Sequence, residues 1–223
     1  MNTVTDLNKW NLLLEQTEIK YESYDGNYQL TGNAKTSTTE DLTKFEKTNR
    51  IILPQEYKEF CQVFGDGEFG YTQFAINIPG QQEGEEIAYV RQTMIETYQD
   101  IKESVVSGSF RYGISTDARS KIENSYRFGT GQGYINFVFD LTSYSEIDLS
   151  YDIYAFKCDS HPSHIFLGRD FFEFIKDFCL GERAELEFPD FFVFEYDDDE
   201  DDDPISKPGT FFPCFLSLES EDS

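Results

Sequence analysis

Histidine is nearly missing from this chain: His161 and His164 are its only two. A hydrolase or transferase that moves protons through imidazole would have to use that one loop. No G-x-S-x-G elbow sits elsewhere to supply a serine nucleophile. Basic side chains are scarce as well. The chain has 18 Lys plus Arg against 43 Asp plus Glu, a formal net charge of -25. A field of that sign repels nucleic acid phosphates and anionic membrane surfaces, so neither is expected as a partner. Cys61, Cys158, Cys179 and Cys214 lie far apart and form no C-x-x-C pair, so buried reduced thiols are expected rather than bridges. No apolar run approaches the about 20 residues of a membrane span. The N-terminal stretch lacks the basic region and small-residue cleavage site of a secretory signal. These absences together suggest a cytoplasmic protein.

Bulky apolar content is plentiful. Phe (22) and Tyr (14) dominate a hydrophobic fraction of 39% over 223 residues. A chain of this size buries about 70% of its extended surface, enough for one sizeable core.

Residues 1–37 read as a variable N-terminal extension. Trp10, Leu12, Leu13 and Leu14 start a short helix or strand, and a Tyr-, Gly- and Ser-rich stretch follows. Order sharpens at Thr38 and Thr39, which can cap a helix whose first turn carries Glu40 and Asp41. Leu42 and Phe45 share its inner face. Pro54 suits the first turn of a second helix, with Tyr57, Phe60, Cys61 and Phe64 on its buried side. Gly65 and Gly67 stop it. Residues 71–78 read as a strand. Residues 86–106 read as a helix striped by Ile87, Val90, Met94, Tyr98, Ile101 and Val105. Residues 110–114 and 125–128 suggest short strands, and 116–124 is ambiguous between classes. Gly129, Gly131 and Gly133 then make a turn into a strand over 134–141. Residues 151–157 form another strand, and the segment after His161 leads to a short edge strand. Asp170 caps a last helix carrying Phe171, Phe174, Ile175, Phe178 and Cys179, which Gly181 ends. Strands cluster between helical regions, which points to an α+β fold with a mainly antiparallel sheet.

Composition shifts after Gly181. Residues 181–223 carry 15 acidic and 2 basic side chains, a net of -13 and about half the chain's charge. Asp197, Asp198, Asp199, Glu200, Asp201, Asp202 and Asp203 form an unbroken acidic run that repels itself and cannot pack. Aromatic clusters flank it and are expected to dock on the domain, leaving the run as a loop.

Three places between residues 42 and 181 carry a resemblance. Leu53-Pro54-x-x-Tyr57-x-x-Phe60, ending in Gly65-Asp66-Gly67, is one. Gly131-x-Gly133-Tyr134 with Phe139-Asp140 is the second. Phe171-Phe172-x-Phe174-Ile175 is the third. In order and spacing they resemble the opening helix, central strand and closing helix of the SUKH superfamily, the group of the Smi/Knr cell-wall assembly regulator and many bacterial immunity proteins. The resemblance implies a SUKH-like domain over 38–181, with helices flanking an antiparallel or mixed sheet, and residues 182–223 as an added acidic, aromatic extension. It also implies a protein-binding role. The partner would be a cationic toxin, such as a nuclease, of a polymorphic or contact-dependent system; a regulatory scaffold with a cellular partner is the alternative. The resemblance implies no catalytic constellation and no cofactor.

The remaining clusters are weaker. Cys158, Asp159, His161 and His164 form a ligand-like group, but Pro162 and the short loop do not guarantee convergence, and the reading here is a polar loop without metal. No D-x-[DN]-x-[DN]-G calcium loop is present. Carboxylates are too many for any one pair to be selected as a glycosidase dyad. Gly129-x-Gly131-x-Gly133 precedes a strand rather than a helix, so it is not a nucleotide loop. The interaction surface expected from sequence is an acidic rim of Asp66, Glu68, Glu83, Glu85 and Glu86 with Tyr71 and Phe74 as aromatic anchors, joined by the acidic run.

Overall fold

A computed structural model describes residues 7–19, 36–69, 74–79, 87–106, 116–132, 134–158, 163–189, 191–192 and 209–213. In chain order these form α1 (Leu7–Gln16), β1 (Glu18–Ile19), α2 (Thr39–Asn49), α3 (Gln55–Val63), β2 (Gly67–Phe69), β3 (Phe74–Ile76), α4 (Ile87–Val106), α5 (Thr116–Glu123), β4 (Ser125–Gly131), β5 (Ile135–Ser145), β6 (Ser150–Lys157), β7 (Ser163–Gly168), α6 (Phe171–Glu173), a π-helical segment (Phe174–Cys179), α7 (Arg183–Glu187) and β8 (Thr210–Pro213). The expected strand over 110–114 lies outside the described residues.

Local chemistry accounts for several boundaries. Thr38 and Asp41 cap α2 reciprocally. The Thr38 hydroxyl accepts from the Asp41 N–H at 3.1 Å, and the Asp41 carboxylate accepts from the Thr38 N–H at 3.0 Å. That hydrogen bonding holds the Asp41 carboxyl below its ordinary value. Pro54 stands immediately before α3, where its missing N–H costs nothing. Gly65 takes a φ of 80° just after α3, a conformation that suits glycine. Asp170 caps α6 by accepting from the Glu173 N–H at 2.8 Å.

The eight strands form one sheet in the order β1-β8-β2-β3-β4-β5-β6-β7. The β1–β8 pair is parallel and the other pairs are antiparallel. The fold is therefore α+β with a mixed, mainly antiparallel sheet. One face carries the aromatic core: Trp10, Tyr57, Phe60, Phe64, Phe69, Phe128, Phe137, Phe139, Phe171, Phe174 and Phe178 are all buried in it. The other face is covered by Val90, Met94 and Ile95 of α4 and Ala118 and Ile122 of α5, which bury Val138, Phe156 and Cys158. Period-two alternation sorts the strands onto these faces: Ile153 and Ala155 of β6 point to the aromatic core, and Phe156 points the other way.

The Trp10 stretch, expected as a helix or strand, is the helix α1, and Trp10 itself is fully buried in the main core. Other expectations are resolved or corrected. The ambiguous 116–124 stretch is the helix α5. The expected 71–78 strand is shorter: β3 covers Phe74–Ile76, and Gly67 begins β2 rather than only ending a helix. Gly129 and Gly131 belong to β4, not to a turn. A Cβ at Gly129 would sit 2.6 Å from the Ala75 carbonyl oxygen, so glycine lets β3 and β4 approach there. The turn falls at the next residues, where Tyr134 takes a φ of 62°; Gly133 lies outside the described residues. Strand β5 runs past the expected 141 to Ser145, although regular pairing with β4 stops at Asp140. The closing helix is mostly π-helical: Leu180 N–H donates to the Ile175 carbonyl five residues back, at 2.9 Å. Of the α4 stripe, Val90 and Met94 are buried and Ile87 is half-buried against the core; Tyr98, Ile101 and Val105 lie outside the described side chains.

After Gly181, Ala184, Phe191, Phe192 and Phe211 join the main core, so the described part of this extension packs on the domain. Strand β8 enters the sheet between β1 and β2.

Candidate functional site

The expected acidic rim is only partly in view. Asp66 accepts from the Asn77 amide at 3.3 Å, just before β2. Glu68 lies in the middle of β2, paired with Ala75 on one side and Phe212 on the other, well inside the sheet. Phe74 is not an exposed anchor. It is only 4% exposed, because β3 is an interior strand whose residues 74 and 76 face the aromatic core. Its ring lies 5.3 Å from Phe178 and 5.7 Å from both Phe137 and Phe192. Tyr71, Glu83, Glu85, Glu86 and the run Asp197, Asp198, Asp199, Glu200, Asp201, Asp202 and Asp203 lie outside the described residues.

The expected scaffold residues are where core chemistry puts them. Leu53, Tyr57, Phe60, Phe171 and Phe174 are buried together. The Tyr57 hydroxyl donates to the Asn77 carbonyl at 2.5 Å and meets the Tyr126 hydroxyl at 3.5 Å. Burial pushes the Tyr57 phenol well up, with Tyr126 adding to the shift.

Of the ligand-like CDSHPSH group, Cys158 and His164 fall among the described residues. Cys158 is buried and accepts from the Asn136 amide at 3.4 Å. His164 lies in β7, with its ring stacked on Phe156 at 5.2 Å. Asp159 and His161 lie outside the described residues. Among the described residues, no three His, Cys, Asp or Glu side chains gather as a metal ion requires.

A different cluster stands out on the α5 side of the sheet, beside β7. The Lys121 ammonium sits 3.6 Å from Asp140, 3.8 Å from Asp117 and 4.6 Å from the Tyr154 ring centre. Burial opposes its charge, but Tyr154, Asp117 and Asp140 outweigh that and hold Lys121 above the usual lysine value. Asp140 is itself buried and accepts from the Thr142 N–H at 3.0 Å and the Thr142 hydroxyl at 2.6 Å. Asp117 also reaches His164 Nε2 at 3.5 Å. At the far end of β7, Arg169 Nε lies 3.0 Å from Asp152 with its N–H not aimed at the oxygen, and Arg169 Nη1 lies 3.9 Å from Asp148. Arg169 also donates to the Ser143 carbonyl. Lys121 and Arg169 are each shared by two carboxylates, and Lys157 stands opposite Ser163 at the start of β7.

Two exposed apolar side chains border this region. Phe166 of β7 is 52% exposed, its ring 5.5 Å from Tyr154. Ile147 is 93% exposed in the β5–β6 turn, between Glu146 and Asp148. The turn is braced: Ser145 and Asp148 hydrogen-bond each other, and the Leu149 carbonyl accepts from the Gln55 N–H at 3.0 Å.

Sequence reasoning had flagged Asp140 and the edge character of β7. It missed Asp117 and Lys121, because 116–124 showed no clear periodicity. It also missed Tyr154, Phe166 and Arg169, which become neighbours of the cluster only through strand pairing: Tyr154 stands opposite Phe166, and Asp140 opposite Asp152. No helix among the described residues is long and apolar enough to cross a membrane. No protein-family model matches the chain, and no curated protein matches it.

Proposed function

We propose that this chain is a protein-binding module of the immunity type, which captures and neutralises a cationic protein. The partner class that the SUKH resemblance implies is a toxin, such as a nuclease, of a bacterial polymorphic or contact-dependent system. The observation that carries the proposal is the net charge of -25 on a chain whose interior is built almost wholly of aromatic and aliphatic side chains. Of the described acids only Glu59 and Asp140 are buried, so the rest are available to the surface. A field of this size speeds the approach of a basic protein and rejects anionic competitors such as nucleic acid. Neutralisation follows when the acidic surface covers the basic surface that a nuclease presents to phosphates.

The test is co-purification with the toxin encoded beside it, followed by an activity assay of that toxin. The expected result is a stable complex and loss of toxin activity, with an association rate that falls as salt rises. A chain that neither binds nor inhibits that toxin at low salt overturns the proposal. Binding without inhibition instead favours a regulatory partner.

A further inference from the structure

Strand β7 ends one side of the sheet, and among the described residues no strand lies beyond it. Exposed edges are usually guarded by charges, proline or a very short length. The other outermost strand, β1, is only two residues long. β7 has six residues, Ser-His-Ile-Phe-Leu-Gly, with no Lys, Arg, Asp, Glu or Pro among them. Its Phe166 shows half its surface to solvent, although strand alternation could have placed a polar residue there.

We propose that β7 is a docking strand: a β-strand of the cationic partner pairs with its outer edge and extends the sheet. This rests on the protein-binding reading above and specifies its contact surface. Main-chain hydrogen bonds to the edge would supply affinity, and alternate side chains of the incoming strand would supply specificity. On the α5 side, those side chains meet Phe166 and the Tyr154 ring. At one end they meet Asp117, and at the other Asp148 and Asp152. Asp140 stands opposite Asp152, so the carboxylates that outnumber Lys121 and Arg169 gather toward the Gly168 end of the strand. An incoming strand with an apolar centre and basic residues toward that end matches this layout. A second copy of the chain does not, because it would bring the same negative surplus to the interface.

The test uses the full chain and two synthetic probes. One is a ten-residue peptide with valines at its centre and lysines at both ends. The other is the same peptide N-methylated at alternate residues, which keeps the charge and removes the hydrogen-bonding edge. The readouts are affinity and the hydrogen exchange of the β7 amides. The first peptide is expected to bind and to slow exchange of amides between His164 and Leu167 by about tenfold or more. The methylated peptide and the Phe166→Lys variant are each expected to weaken binding by about tenfold. Unchanged circular dichroism would show that the variant still folds.

Equal affinity for the two peptides overturns the docking strand while leaving electrostatic capture of a basic protein in place. So does a toxin complex in which the β7 amides exchange as in the free chain. Amides that are already slow in the dilute chain show that its own residues cover the edge, and overturn the inference. Amides that slow only as the chain is concentrated point to a second copy, and overturn it too. Failure to bind either peptide or the toxin removes both readings.

Discussion

The indole N–H of Trp10 donates to the Glu59 carboxylate across 3.2 Å and ties α1 to a buried acid on α3. Gln55 donates to the other Glu59 oxygen at 2.9 Å. The Trp10 ring also meets Phe172 at 4.9 Å and Phe60 at 5.6 Å, edge to face. Trp10→Ala is expected to cost about 3–5 kcal/mol, since it opens a cavity in the aromatic core. Trp10→Phe keeps much of the packing but removes the donor, and is expected to cost about 1–3 kcal/mol. Urea titrations followed by circular dichroism would rank them.

Alkaline pH should destabilise the fold. Burial pushes the Cys61 and Cys179 thiols well above their ordinary value of 9.0. Burial also raises the Tyr57 and Tyr126 phenols, and Tyr151 is pushed up to about 12 by burial with Tyr144 beside it. Each group keeps in the folded state a proton that the unfolded chain releases. The unfolded chain then binds fewer protons, and stability falls as pH rises past the unfolded values. The urea midpoint is expected to fall progressively from about pH 9 upward, and these groups should leave it flat between about pH 6 and 8. A midpoint unchanged up to pH 11 contradicts this account.

Gly129→Ala places a methyl 2.6 Å from the Ala75 carbonyl oxygen, a backbone atom in the neighbouring strand. The strands must separate or the pairing must shift, at about 1–3 kcal/mol. Gly168→Ala is expected to destabilise for a different reason. Nothing crowds that site, but its φ of 132° suits glycine alone. Chemical denaturation should show both losses, and a crystal structure of the first should show β3 displaced from β4.

Asp140 and Asp117 share Lys121, yet their removal should differ. Asp140 is buried and accepts from both Thr142 donors, so Asp140→Ala orphans groups inside the fold and is expected to cost about 1–3 kcal/mol. Asp117 is largely exposed, and Asp117→Ala is expected to cost under about 1 kcal/mol. A thermal or urea series on the two variants checks the order.

Much of the fold was legible because local chemistry agreed with the final structure. Thr38, Pro54 and Asp170 mark helix starts by their own hydrogen bonding or fixed backbone, and β5 and β6 declare themselves by runs of branched and aromatic residues. Phe74 misled because an aromatic beside acids looks like an anchor. Only the pairing of β3 between β2 and β4 reveals that its ring points inward. Gly129 and Gly131 misled because spaced glycines signal turns, whereas here they admit close neighbours or end a strand. The candidate site was harder still. Lys121 and Tyr154 are 33 positions apart, and their contact depends on how α5 lies over the sheet, which no local pattern encodes.

Strand β8 pairs Thr210 with Glu18 and Phe212 with Glu68, so it is the bridge between β1 and β2. Its Phe211 covers Phe69 at 4.7 Å and Phe64 at 5.3 Å. During synthesis those rings must wait, unshielded, until residues 209–213 leave the ribosome. The β1–β8 pair also closes one of the longest loops in the molecule, the kind of contact that forms late and slowly. The nascent chain is thus open to aggregation until that strand emerges, and its strong negative charge repels other copies during that interval.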